Sequence, residues 1–187
     1  MSCSLHLHSV TQSHNLGRVF SSTAPGFVIG VGSIGDHLLP YEDCDTFLSS
    51  DAGLTWRMVD EGANKYEFGD QGSILVLMDD EEASNILHYS TDFGKTWKDL
   101  DIEVKVRASL LTTIPDSTSQ KFLLIGTLPK GGQSANGERH IMVFVDFATM
   151  NIRKCGDADF EKWYARAPGG EADCLMGHKV DMLFLLS

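Results

Sequence analysis

Eight residues written twice constrain this chain more than any other feature: Ser49-Ser50-Asp51-Ala52-Gly53-Leu54-Thr55-Trp56 returns as Ser90-Thr91-Asp92-Phe93-Gly94-Lys95-Thr96-Trp97. The tryptophans are 41 residues apart, and the flanks repeat as well. Apolar Leu48 and Tyr89 lead in, basic Arg57 and Lys98 follow, and Asp60 and Asp101 come four residues after each tryptophan. A period near this length belongs to four-stranded propeller blades or to short helical repeats.

The residues between the copies decide for strands. Tyr66-Glu67-Phe68, Ser73 to Met78 and Ile86 to Tyr89 are short apolar runs bounded by Gly, Asp and Asn, as strands joined by hairpins require. Arg18 to Phe20, Phe27 to Val31, Lys121 to Gly126 and His140 to Val145 read the same way, and no long capped helical pattern precedes residue 150.

The chemistry of the octapeptide is that of a turn. Asp51 and Asp92 are expected to accept backbone N–H bonds two residues on, Ser49 and Ser90 to tie the other side, and Gly53 and Gly94 to take a positive φ. Thr55 and Thr96 complete the pattern, and Trp56 and Trp97 open the next strand with a large apolar plate. Such an aspartate is also a possible catalytic acid or calcium ligand, but the glycine two places on and the second copy favour the structural role.

Composition bounds the partners. The formal charge is -11, from 26 acidic against 15 basic residues, which disfavours a phosphate backbone or an anionic leaflet and leaves basic or neutral peptides open. Met1 to Val10 has no basic region leading into an apolar one, and no later stretch approaches a membrane span; by itself the chain is not expected to enter the secretory route or cross a bilayer. Cys3, Cys44, Cys155 and Cys174 lie far apart. They suit disulfide half-partners or buried thiols, and spacing does not choose between them.

Ser-x-Asp-x-Gly-x-Thr-Trp is the Asp-box pattern of sialidases, some other glycosidases and the sortilin family. Phe20 to Phe27, Tyr41 to Phe47 and Tyr66 to Ser73 resemble the closing blades of the fungal vacuolar protein sorting receptors of that last family. Asp146-Phe147, Cys155 to Phe160 and Cys174 to Lys179 resemble its exit from the propeller into a cysteine-rich module. The resemblance covers about residues 5 to 179.

It implies an all-β chain: the last blades of a β-propeller over 1–147, the start of a small cysteine-rich module over 148–179, and an unrelated tail over 180–187 that reads as truncation or mis-splicing. It also implies a receptor ectodomain, not an enzyme, binding soluble cargo such as vacuolar hydrolases on the lumenal side of Golgi and endosomal membranes. The membrane is then reached only through a transmembrane segment outside this chain. Cys155 and Cys174 match the first cysteines of the module and Cys44 a propeller cysteine, each expected to pair with a residue outside this stretch. Two rivals stand beside this reading. One is a sialidase-like glycosidase, against which Arg18, Arg57, Arg107, Arg139, Arg153 and Arg166 are scattered without the clustering such chemistry needs; the other is a truncated product with no function of its own, aggregating through apolar runs such as Phe122 to Leu128.

Four further groups have plainer readings. Gly30-Val31-Gly32-Ser33-Ile34-Gly35 fits G-x-G-x-x-G, but Pro40 follows at once, so a glycine-rich loop is expected and no dinucleotide or other cofactor. His6 and His8, with His14 near, suit exposed strand positions better than a metal site. Asp79-Asp80-Glu81-Glu82 lacks the spacing of a calcium loop and is expected to be a solvated hairpin tip. Phe160, Trp163 and Tyr164 are expected to anchor a short helix or turn. No N-x-Ser/Thr sequon occurs, so glycosylation of this stretch is not expected.

Overall fold

In a computed structural model, residues 3–8, 24–129, 139–150, 160–164 and 181–185 are described. Among them every regular element is a strand or a single 3-10 turn. The chain divides into two compact units, Met1–Thr149 and Met150–Ser187.

The first unit opens with a four-stranded antiparallel sheet in the order β1-β2-β3-β4, made of Ser4–Leu7, Val28–Gly35, Asp45–Ser49 and Arg57–Asp60. Next come β5 (Asn64–Gly69), β6 (Ile74–Asp79), β7 (Ser84–Ser90), β8 (Lys98–Thr112), β9 (Lys121–Thr127) and β10 (His140–Asp146). Each of these pairs antiparallel with the next.

β8 belongs to two layers. Lys98 to Asp101 pair with β7, whereas Arg107 to Thr112 pair with β9, and Glu103 between them has φ 62. The six strands therefore fold over on themselves. Asp70 N donates to Ser119 O at 2.9 Å and Gln71 N to Ser117 O at 2.7 Å, which ties the β5–β6 turn to the β8–β9 turn. A Cβ on Gly69 would lie 2.4 Å from the Phe122 ring.

The result is a partial β-propeller: successive antiparallel sheets, each laid face to face on the one before. Ile29 and Leu48 of the first sheet pack on Tyr66, Phe68, Leu75 and Leu77 of the second. On the far face of the second sheet, Tyr89 meets Phe147 at 5.1 Å and Phe122 meets Phe147 edge-on at 5.6 Å. Strand β6 lies between these contacts, with Ile74, Leu75, Val76, Leu77 and Met78 all fully buried. A run apolar at every position is what a strand covered on both faces needs, and each such side chain contributes about 1.5–3 kcal/mol of transfer free energy.

The structure corrects several expectations. Gly30 to Gly35 are not a loop; they lie within strand β2, paired with β3 up to Gly32 and with β1 from Gly32 onward. The glycine is needed there because a Cβ on Gly32 would sit 2.1 Å from the His6 carbonyl oxygen. His8 is not exposed: it is buried, with Nε2 donating to Leu39 O at 2.9 Å and its ring edge-on to Tyr41. Asp80 is buried instead of solvated, because Lys65 pairs with it and the Tyr41 hydroxyl donates to it at 2.9 Å. Phe122 to Leu128 supply no open edge, since β9 is flanked by β8 and β10; on β10 itself Met142 and Phe144 are exposed.

In the second unit, β11 (Phe160–Tyr164) pairs antiparallel with β12 (Asp181–Leu185). The segment expected as a short helix or turn is thus a strand, in keeping with the β preference of its three aromatics. Arg18 to Phe20, His14, Cys155 and Cys174 lie outside the described residues.

Candidate functional site

The two octapeptide turns have the same internal wiring. In the first, Ser49 Oγ donates to Asp51 Oδ1 at 2.8 Å and accepts Gly53 N at 2.8 Å. Asp51 then accepts Thr55 N at 2.8 Å on Oδ1 and the Thr55 hydroxyl at 2.6 Å on Oδ2. In the second, the matching distances among Ser90, Asp92, Gly94 and Thr96 are 2.8, 2.8, 2.9 and 2.6 Å. The aspartate therefore reaches the amide four residues on, not two, and the serine oxygen serves the glycine amide.

Two consecutive residues in each turn take positive φ, Ala52 at 59° and Gly53 at 91°, and Phe93 at 60° and Gly94 at 75°. Trp56 and Trp97 sit one residue before β4 and β8. Bonds from the Thr55 hydroxyl and amide hold the Asp51 carboxyl below the ordinary carboxylate range. At Asp92 burial pulls upward, but the bonds from Thr96 and Ser90 outweigh it and the net shift is also downward. Every carboxylate oxygen in the turns is occupied by a donor of its own loop, so neither aspartate is placed to move a substrate proton.

The surroundings of the two turns differ. Gly94 is buried, and a Cβ there would lie 2.5 Å from Leu48 Cδ2 and 3.2 Å from the Arg57 guanidinium. Arg57, the residue after the first tryptophan, donates to Phe93 O at 3.2 Å. A Cβ on Gly53 would meet only the Trp56 ring, at 3.8 Å, and Leu54 beside it is 85% exposed.

At the opposite end of the strands the β6–β7 turn, the middle of β8 and the end of β9 enclose an open cleft of about 550 Å³. It is lined by acidic Glu81 and Glu82, basic Lys105 and Arg107, and Thr127, Leu128 and Pro129. The Arg107 guanidinium spans the cleft to the Glu81 carbonyl and lies 3.9 Å from its carboxylate. A cleft with both charge signs suits an extended polar segment of another protein better than a small apolar ligand. Local sequence does not announce it, because Glu81 and Arg107 are 26 residues apart.

The remaining candidates fall elsewhere. Cys44 is buried beside the Pro40 carbonyl, and burial pushes its thiol up; Cys3 is exposed. His6 Nε2 lies 3.1 Å from Ser4 Oγ and 3.3 Å from Gly35 O, apart from the His8 contacts. Arg57 and Arg107 serve different loops and do not converge on a common point.

Comparison with known proteins gives two consecutive family matches. Residues 1–111 match the family described as sortilin, neurotensin receptor 3 (Sortilin-Vps10), and residues 113–183 match its C-terminal segment. The chain is 56% identical over 177 residues to vacuolar protein sorting/targeting protein 10 of Mycosarcoma maydis, 95% of this chain and 12% of that protein. The protein of the same name from Laccaria bicolor is 57% identical over 164 residues, 88% of this chain and 11% of its own length. That of Uncinocarpus reesii is 54% identical over 176 residues, 94% and 12%. The chain therefore spans about an eighth of the length of these relatives.

Proposed function

This chain belongs to the sortilin family, and from that premise we propose that it forms part of the ectodomain with which a sorting receptor binds soluble vacuolar hydrolases in the Golgi for delivery to the endosome and vacuole. The family is one of vacuolar sorting receptors, not of enzymes. The observation that carries the proposal is the identity to vacuolar sorting proteins along 95% of the chain, joined to a fold of stacked sheets with no proton-transfer geometry in its repeated turns.

In this reading the octapeptides are Asp-box turns whose work is structural, residues 1–147 are the closing propeller blades, and 148–179 begin a cysteine-rich module. Cys44, Cys155 and Cys174 then form disulfides with cysteines elsewhere in the receptor, in the oxidising lumen where such bonds persist. Cargo reaches the open strand ends, where loops vary without disturbing the ladders, and the cleft between Glu82 and Lys105 is the place to look first.

The test is a charge reversal in the full-length receptor, Glu82→Lys with Lys105→Glu, read as the fraction of a soluble vacuolar hydrolase that is secreted. Secretion should rise while receptor abundance is unchanged. Normal delivery by the doubly reversed receptor would remove the cleft from the cargo surface, and normal delivery after deletion of the whole segment would remove the proposal itself.

A further inference from the structure

His88 stands on β7 with a carboxylate on either side, one from its own sheet and one from the neighbouring sheet. Its Nδ1 lies 2.8 Å from Asp99 Oδ1 on β8, and its Nε2 lies 3.9 Å from Asp60 Oδ2 at the end of β4. The histidine side chain is 32% exposed and that of Asp60 27%, so water screens the contact across the sheets only in part. Asp60 is held in place by Asn64, whose Nδ2 donates to it at 3.0 Å and to the buried Thr46 hydroxyl oxygen at 3.1 Å. Ile29, Leu48, Tyr66, Phe68, Leu75 and Leu77 form the apolar part of this interface; the His88 cluster is one of its polar contacts, with the Arg57 bond to the Phe93 carbonyl another.

A neutral imidazole has one N–H. If Nδ1 donates it to Asp99, the lone pair of Nε2 is turned on the Asp60 carboxylate, and the two repel. A second proton puts an N–H at Nε2 and converts that contact into attraction. We propose that His88 is a proton-operated strut between the first and second sheets, drawing β4 and β7 together when its ring is charged and releasing them when it is neutral.

The charged groups around the ring agree in sign. Asp99 and Asp101 face it from β8, Asp79 ends β6 on the same face as the Leu77 that pairs with His88, and Glu61 adjoins Asp60 on the β4–β5 turn. The basic group on β4 is Arg57, whose guanidinium is engaged with the Phe93 carbonyl. Burial pushes the Asp60 carboxyl up, with His88 and Asn64 pulling it back. Acid therefore discharges the far end of the strut at a higher pH than it would an ordinary aspartate, and the tightening is lost there.

Hydrogen exchange on the full chain tests this at about pH 6 and about pH 8, either side of the usual imidazole range, with rates corrected for intrinsic chemistry. Amides of 57–64 and 84–90 should exchange about two- to fivefold more slowly at the lower pH, the span expected of a partly exposed ion pair. Amides of 121–127, on β9, should not change. His88→Gln, which keeps a polar side chain without a titrating proton, and Asp60→Asn should each flatten the difference. Equal protection at the two pH values in the native chain, or the same pH dependence in His88→Gln, would overturn the strut.

Discussion

The two octapeptide turns are wired alike and housed differently. Inside each loop the serine, aspartate, glycine and threonine make the same bonds within 0.1 Å, yet the second rests on Leu48 and Arg57 of the sheet before it while the first opens to solvent. The difference separates two codes. A turn is specified by residues within eight positions of one another, whereas the fit of one sheet on the next is specified by residues from distant parts of the chain.

The largest effect that sharpens the comparison is at Leu48. Leu48→Ala should cost about 2–5 kcal/mol, the usual range for a large-to-small change in a core, because it is 1% exposed and lies under the second turn. Leu54→Ala in the first turn should shift the urea midpoint hardly at all, as surface changes do. Equal midpoint shifts would mean that the second turn does not rely on its neighbour.

Next come the glycines. Gly53→Ala and Gly94→Ala both place an alanine at positive φ, a cost of about 1 kcal/mol, but at Gly94 the methyl group also enters the space of Leu48. About 1–3 kcal/mol of overpacking should be added there, so Gly94→Ala should melt well below Gly53→Ala. Similar melting temperatures for the two variants would break the distinction between housed and open turns.

Acid comes third. The folded Asp92 carboxyl lies below its ordinary value of 3.8, so its contribution to stability is complete above about pH 4, the unfolded range, and is lost as pH falls through the folded value. Asp92→Asn should therefore lower stability at neutral pH and flatten the acid limb of a pH series of urea melts. An unchanged acid limb would show that the threonine and serine bonds do not favour the charged form.

The smallest effect concerns the tryptophans. Trp56 Nε1 donates to Gly53 O at 3.0 Å, while Trp97 Nε1 is buried without a partner among the described residues. Trp56→Phe should lose a bond of about 1 kcal/mol, and Trp97→Phe should lose only ring area, which differential scanning calorimetry of the pair resolves.

The same separation explains what could be read before the structure was known. Strands β5, β6, β7, β9 and β10 were legible because each is a short apolar run with polar punctuation. β4 was legible only through the turn, as the strand that Trp56 opens, and β3 was not legible, since Asp45-Thr46 gives it a polar start and Leu48 is buried by the opposite sheet. The length of β8 was hidden because Asp99, Asp101, Glu103 and Lys105 look like a solvated loop, and the strand is made by pairing with β7 over its first part and with β9 over its last. Residues of the octapeptides were legible from the repeat. The cluster of Thr46, Asn64, Asp60 and His88, the Tyr41–Asp80–Lys65 contacts and the cleft were not, because they join residues whose nearness depends on the stacking of sheets.

That dependence is the central claim, and the exposed side of the third layer tests it most directly. Met142 and Phe144 are 71% and 64% exposed on β10, opposite Ile125 and Leu123, a face of the kind that the other layers cover with a neighbour. Size-exclusion chromatography with circular dichroism should be run on the 187-residue chain beside a chain extended to the length of its relatives. The account predicts that the extended chain is monomeric and β-rich while the short one self-associates, and that Met142→Lys with Phe144→Lys relieves the association. A short chain that is monomeric, β-rich and cooperatively folded with those side chains in water would contradict it.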